Sequence, residues 1–343
     1  HQIISNRISS LMEDSEGDIW AGLWSGRGFN IINPVKNKVK SFSMLTNSLR
    51  ADWYNDIMQD SHGNYWMGIW GAAGLLQFDK QQEVFKDETF TLLNINLNSP
   101  VSDIVLDNNL VWFSQSAKFF SAFNKKTSKY NMYFIENNLW FDNLIVNQIF
   151  LDIENELWYA TNKGLFKKTS DPYISFRKII PNENKNTSVV NINIFAIAKS
   201  FNKNLLWLVT SNGLESLNKR TNTLSKLSDL PFPNNKINFI FENNDKILWI
   251  GTQSGLYAKF PDKKSIIKFN KLLPIDREIT ALCYLQENNG NFWLGTSSGL
   301  YYFDKSLRKF NKIDLLSDNE IFSLVFDNSG NLWAGTNNGL YNI

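Results

Sequence analysis

The sequence predicts an all-β chain folded as a β-propeller of four-stranded blades, and three observations carry that prediction. A Trp-centred unit recurs eight times, at Trp20, Trp66, Trp112, Trp158, Trp207, Trp249, Trp293 and Trp333, with steps of 40 to 49 residues. Gly stands two residues after the Trp in five copies (Gly22, Gly68, Gly251, Gly295, Gly335), and a Gly-Leu or Gly-Phe step follows in seven. Within each unit apolar and polar residues alternate with period two, and turn signals come about every ten residues, which excludes a helical solenoid.

Each unit reads as four strands. Strand A is the alternating run before an acidic turn, as in Ile57-Met58-Gln59-Asp60. The turn Ser-x-Gly-Asn follows, where Asp can hold its own backbone and Gly can take a positive φ. Strand B carries the Trp, a second turn precedes strand C at Gly-Leu-Tyr, and a looser strand D closes the unit, as at Arg308-Lys309-Phe310. One small twisted sheet cannot bury both faces, so such sheets stack around an axis. A Trp at the same place in every sheet fills the gap to its neighbour and buries about 150–250 Å², worth several kcal/mol. The Gly two residues on leaves room for the next blade. Residues 1–343 read as a single eight-repeat domain. The last unit stops at Ile343 without a strand D, so a three-stranded closing blade, or seven blades with one displaced unit, stays open.

Composition narrows the function classes. Lys plus Arg number 35 against 33 Asp plus Glu, a formal charge of only +2, and no basic stripe marks a nucleic-acid surface. No run of 18 apolar residues spans a membrane. No signal segment opens the chain, which reads as a piece of a longer protein. Cys283, the single cysteine, lies in the apolar run 279–285 and reads as a buried small hydrophobe. With His1 and His62 the only histidines, neither a zinc site nor a His-based nucleophile system is expected. The acidic residues Asp14, Asp60, Asp152 and Asp327 recur before the turn Gly and belong to the scaffold. Asp52, Asp56 and Asp142 break the repeat and are the carboxylates a glycosidase would need, although loop solvation explains each equally well. No catalytic residue, metal or cofactor is assigned.

The residues that the repeat leaves unexplained are four further tryptophans, Trp24, Trp53, Trp70 and Trp140, all in the first 140 residues. In copies 1 and 2 the Gly-Thr-x-x-Gly turn becomes Gly22-Leu-Trp24-Ser-Gly-Arg-Gly28 and Gly68-Ile-Trp70-Gly-Ala-Ala-Gly74, each two residues longer. Trp53 and Trp140 fall in the connections from strand D to the next strand A. B–C turns and D–A connections emerge on one face of an up-and-down blade, so the four rings are expected on one rim. Rings there would cover apolar sugar faces, with Arg27 and Tyr54 selecting hydroxyls. The competing reading is that long loops bury their own tryptophans.

The consensus I-x-x-I-x-x-D-x-x-G-N-I-W-x-G-T-x-x-G-L-x-x-F, clearest at Leu248-Trp249-Ile250-Gly251-Thr252-Gln-Ser-Gly255-Leu256, resembles the two-component regulator propeller repeat. The resemblance covers essentially the whole chain. It implies the periplasmic sensor part of a two-component protein, usually two seven-bladed propellers followed by an immunoglobulin-like domain, a membrane span and a histidine kinase. This chain departs by carrying eight repeats and none of the downstream parts. The resemblance implies no catalytic motif. Its implied partners are an oligosaccharide ligand, other domains of the same protein and a second protomer, with no nucleic acid. A protein-binding scaffold and a carbohydrate-active enzyme remain the alternatives.

Overall fold

The computed structural model describes residues 7–24, 28–43, 53–70, 74–86, 101, 103–114, 120–133, 144–170, 176–179, 192–231, 237–269 and 279–343. The fold is all-β: a β-propeller of eight antiparallel sheets in sequence order, with one short 3-10 turn among the described residues, at Asp314–Leu316. The first seven sheets have four strands and the eighth has three, Ile321–Phe326, Leu332–Thr336 and Gly339–Asn342. The three-stranded closing blade is therefore the arrangement found among the described residues, and the count is eight. No helix among the described residues is long and apolar enough to cross a membrane.

The chain divides into two compact units. One comprises residues 1–116, 120–132 and 319–343, and so joins blades 1, 2 and most of 3 to blade 8; the other comprises 117–119 and 133–318, blades 4 to 7. Within the first unit blade 8 packs on blade 1. Trp333 shares a buried cluster with Ile8, Ile19, Ala21, Leu23 and Ile32, and the Asn328 N–H donates to Glu13 Oε1 at 2.8 Å.

The repeat Trp fills the gap between blades as its spacing predicts. Trp20 stacks on Tyr65 of blade 2 at 4.2 Å, Trp66 lies 5.1 Å from Phe123 of blade 3, and Trp249 lies 5.1 Å from Phe292 of blade 7. Six of the eight are buried; Trp207 and Trp293 are only half-buried, which corrects the expectation that all eight are core. Trp293 leans on its cross-strand partner Tyr302 at 4.7 Å, and its indole N–H is held by Glu287 at 2.9 Å. The Gly two residues after Trp is there for the neighbour. A Cβ on Gly22 would stand 2.7 Å from the Tyr54 carbonyl of blade 2, and one on Gly335 2.7 Å from Ile8 of blade 1.

Strand A carries a bulge at the same place in seven blades, between Ile8 and Ser10, Tyr54 and Asp56, Val146 and Gln148, Ile194 and Ala196, Ile237 and Phe239, Ala281 and Cys283, and Ile321 and Ser323. A bulge re-aims the side chain of its extra residue. Here that residue reaches the strand A backbone of the following blade: Ser9 Oγ donates to the Tyr54 carbonyl, Asn147 Nδ2 to that of Ile194, and Asn238 Nδ2 to that of Ala281, at 2.7–3.0 Å.

Candidate functional site

On the A–B side of the blades the polar residues are committed to the fold. Asp14 Oδ1 accepts the N–H groups of Glu16 and Asp18, and its Oδ2 accepts Trp20 Nε1 at 2.8 Å. Asp60, Asp152 and Asp327 repeat the arrangement on Trp66, Trp158 and Trp333. One carboxylate thus ties the turn and orients the ring. In three of the four a lysine from the next blade neutralises it: Lys80 on Asp14 at 2.6 Å, Lys125 on Asp60 at 3.2 Å, Lys219 on Asp152 at 2.6 Å. Burial opposes ionisation of Asp14, but Lys80, Trp20 and Tyr65 outweigh it and hold the carboxyl below its ordinary range. Asp152 follows the same balance with Lys219. The acidic group Asp152, Glu154 and Glu156 is therefore no open cation site, because the Lys219 ammonium stands among all three.

Of the other reactive groups, His62 is exposed in the A–B turn of blade 2, where its N–H donates to Asp60. Cys283 is half-buried, and burial pushes its thiol up to about 12, against a lowering contact from the Gly295 backbone. Asp56, one of the off-repeat carboxylates, accepts the Ile104 N–H of blade 3 at 3.1 Å. Burial pushes it up to about 6 although two backbone N–H groups, of Ile104 and Ile57, pull it down. It stands where Ser10 and Gln148 stand in other blades, and Gln148 likewise accepts a neighbour's N–H, that of Ile197. Asp52 and Asp142 lie outside the described residues.

On the opposite side, the B–C turns explain why blades 1 and 2 differ. In blades 4 to 8 a Thr hydroxyl (Thr161, Thr210, Thr252, Thr296, Thr336) donates to the Gly carbonyl three residues on and closes a two-residue turn. Leu23 and Ile69 hold the equivalent places and have no hydroxyl; a backbone bond spans each longer loop, the Leu23 N–H donating to the Gly28 carbonyl at 3.0 Å and the Ile69 N–H to that of Gly74 at 2.9 Å. Trp24 and Trp70 come next, at equivalent sites. The Trp24 N–H donates to the Arg7 carbonyl at 3.0 Å, and Trp70 is opposite Trp53 in the register of blade 2. Trp24 is half-buried; the Arg7 guanidinium lies over its ring at 4.4 Å and over Phe322 of blade 8 at 4.9 Å.

Two expectations need correction. Trp53 is not in a D–A connection, because strand A of blade 2 runs over Trp53–Gln59 and the register extends to it. Tyr54 is fully buried, with its ring 5.4 Å from Phe29 in the core between blades 1 and 2, so it packs the interior and is not presented to the rim. Arg27 and Trp140 lie outside the described residues.

A second feature went unread in the sequence. In the unit of blades 4 to 7, a cleft of about 370 Å³ opens on the A–B side, lined by Ile153, Lys199, Ser200, Phe201, Glu242, Asn244, Gln286, Glu287 and Asn288. Its signal was available: Ser200 replaces the repeat Asp in blade 5, and Lys199 precedes it.

Comparison with known proteins gives matches to single repeats and a fold. The two-component regulator propeller model matches residues 2–25, 231–254 and 315–338. Nothing matches among curated proteins. Among solved structures, the computationally designed Ika8 protein is 12% identical with a TM-score of 0.67, over 99% of this chain and 97% of that one. A catalytically inactive histidine-to-alanine variant of virginiamycin B lyase from Staphylococcus aureus with quinupristin is 13% identical with a TM-score of 0.59, over 99% and 95%. The extracellular domain of a putative one-component system from B. thetaiotaomicron is 17% identical with a TM-score of 0.47, and this chain spans all of its own length but 47% of that protein's. Three repeats of this chain, in blades 1, 6 and 8, are similar to the two-component regulator propeller repeat.

Proposed function

We propose that the chain is the non-catalytic ligand-recognition propeller of a two-component sensor, working outside the cytoplasm in the periplasm, and that it recognises a glycan fragment through Trp24, Trp70 and Trp53. Trp140 and Arg27 complete the proposed site. The observation that carries the reading is the paired departure of blades 1 and 2. Where the other well-formed blades close the B–C turn with a Thr hydroxyl, these two carry Leu23 and Ile69 and place a tryptophan next. A tight turn has been given up twice at equivalent sites for an aromatic ring. Broad rings beside a guanidinium suit sugar rings, whose C–H faces are apolar and whose hydroxyls need fixed donors. Signalling requires that the ligand favour one arrangement of domains or protomers over another, which places the other domains of the same protein and a second protomer among the partners.

The likeness in fold to a lyase brings no chemistry with it. That enzyme is inactivated by loss of a histidine, whereas the internal histidine here is an exposed turn residue tied to Asp60. The test is calorimetric titration of the protein with a panel of oligosaccharides, beside a product assay on the same compounds. Saturable heat without product supports the reading. Product release lost in Asp56→Asn, or no saturable heat across the panel, contradicts it.

A further inference from the structure

The cleft in blades 4 to 7 lies where a recurring latch between blades is missing. Each A–B turn offers the backbone N–H of the residue after its Asp, and the last residue of the next strand A can accept it. Gln59 Oε1 accepts from Ser15 at 2.7 Å, Glu13 Oε1 from Asn328 at 2.8 Å, and Glu242 Oε2 from Phe201 at 2.7 Å. In blade 5 strand A (Ile194–Lys199) ends on Lys199. An ammonium has no lone pair to offer, so among the described residues the Ile153 N–H of blade 4 has no acceptor and Lys199 has no carboxylate. In blade 7 strand A (Ala281–Gln286) ends on Gln286, which takes no N–H among the described residues, and the Asn244 side chain donates to the Asn288 carbonyl at 3.0 Å.

The two glutamates of the cleft are hydrogen-bonded by neutral donors and keep their charge. Glu242 Oε2 accepts Ser200 Oγ at 2.9 Å as well as the Phe201 N–H. Glu287 accepts Trp293 Nε1, Asn289 Nδ2 and Tyr302 Oη at 2.9–3.2 Å. Lys199, exposed, is the one cation of the lining and has no carboxylate partner among the described residues, and the Ile153 N–H is an unclaimed backbone donor in the same lining. At its mouth Phe201 and Ile153 are 56% and 51% exposed, an unusual placement for two large apolar side chains in one spot.

We infer that this cleft binds a small organic acid: a carboxylate on a ring with an apolar face. The carboxylate stands where the latch glutamate stands elsewhere, accepting the Ile153 N–H and pairing with Lys199, a charge-assisted geometry stronger than either contact alone. The ring lies on Phe201 and Ile153, and Gln286 meets polar substituents. This site is separate from the tryptophan rim and does not depend on it. A sugar acid and an aromatic acid share this chemistry.

The test is titration of the intact protein, by calorimetry and by chemical-shift mapping, with glucuronate and benzoate and with their uncharged counterparts glucose and benzyl alcohol. At least one acid is expected to bind with Kd of about 1 mM or tighter, and its neutral counterpart at least tenfold more weakly. Glucuronate alone identifies a sugar acid, benzoate alone an aromatic one. Lys199→Glu restores the latch and should abolish binding without lowering Tm; Lys199→Met, which only removes the charge, should weaken it at least tenfold. Phe201→Ala should weaken it several-fold. Binding of neither acid, equal binding of acid and neutral compound, or wild-type affinity in Lys199→Met overturns the inference, and none of these results bears on Trp24 or Trp70.

Discussion

Asp56 is a carboxyl that burial pushes up to about 6, and it makes a sharp prediction. Its folded pKa of about 6 lies above the ordinary 3.8, so the folded state holds its proton more tightly than the unfolded state does. The contribution of this carboxyl is therefore complete below about pH 4 and is lost as pH rises through about 6. Asp56→Asn keeps an oxygen for the Ile104 N–H and removes the buried charge. Stability at pH 7 is expected to rise by about 1–3 kcal/mol, and the difference between variant and parent should shrink as pH falls from 6 to 4. Urea melts at the two pH values check it; a constant difference contradicts the reading. A second residue tells the same kind of story with the sign of a hydrogen bond. Asn243 replaces the repeat Asp in blade 6. Its Oδ1 still takes the N–H groups of Asp245 and Ile247, but its Nδ2 and Trp249 Nε1 are both buried without a partner, two donors where blades 1, 2, 4, 7 and 8 pair the indole donor with a carboxylate acceptor. Asn243→Asp is expected to add about 1 kcal/mol in a denaturant melt, with Lys305, now on Asp245 at 2.8 Å, near enough to offset the added charge.

At the scale of the element, much was legible because the repeat is periodic and its parts are local. The Asp, turn Gly and Trp lie six residues apart and satisfy each other within one hairpin, so their spacing alone placed strands A and B. The Gly after Trp was readable as a contact residue because no local turn needed it there. What the sequence did not disclose was non-local. The bulge in strand A has no composition of its own, since Ser9, Asn147, Asn238 and Phe322 share its place. The latch residues at the ends of strand A look like ordinary solvated polar residues until the neighbouring turn is seen. Trp293 shows the limit from the other side: the motif around it is intact, yet the ring is half-buried. Trp249→Ala is accordingly expected to cost about 3–5 kcal/mol and Trp293→Ala only about 1–3. Equal losses in equilibrium unfolding would mean that exposure is no guide to packing here.

For the whole molecule, composition excluded more than it identified. A charge of +2 without a basic stripe, and two histidines, removed nucleic-acid binding and His-based catalysis from the leading readings. Trp24 and Trp70 stood out because they broke a repeat, and the structure puts them at equivalent sites. Tyr54 was misread because an apolar-and-polar side chain beside a loop gives no sign of the core it enters. Whether the rim tryptophans recognise a ligand is the central claim, and one paired measurement addresses it most directly: calorimetry with the best oligosaccharide of the panel, together with Tm, on the parent, Trp24→Ala and Trp70→Ala. The account predicts a loss of more than about 1 kcal/mol in binding for each variant with Tm nearly unchanged. Unfolding of both variants in the manner of Trp249→Ala, or parental affinity in both, would contradict it.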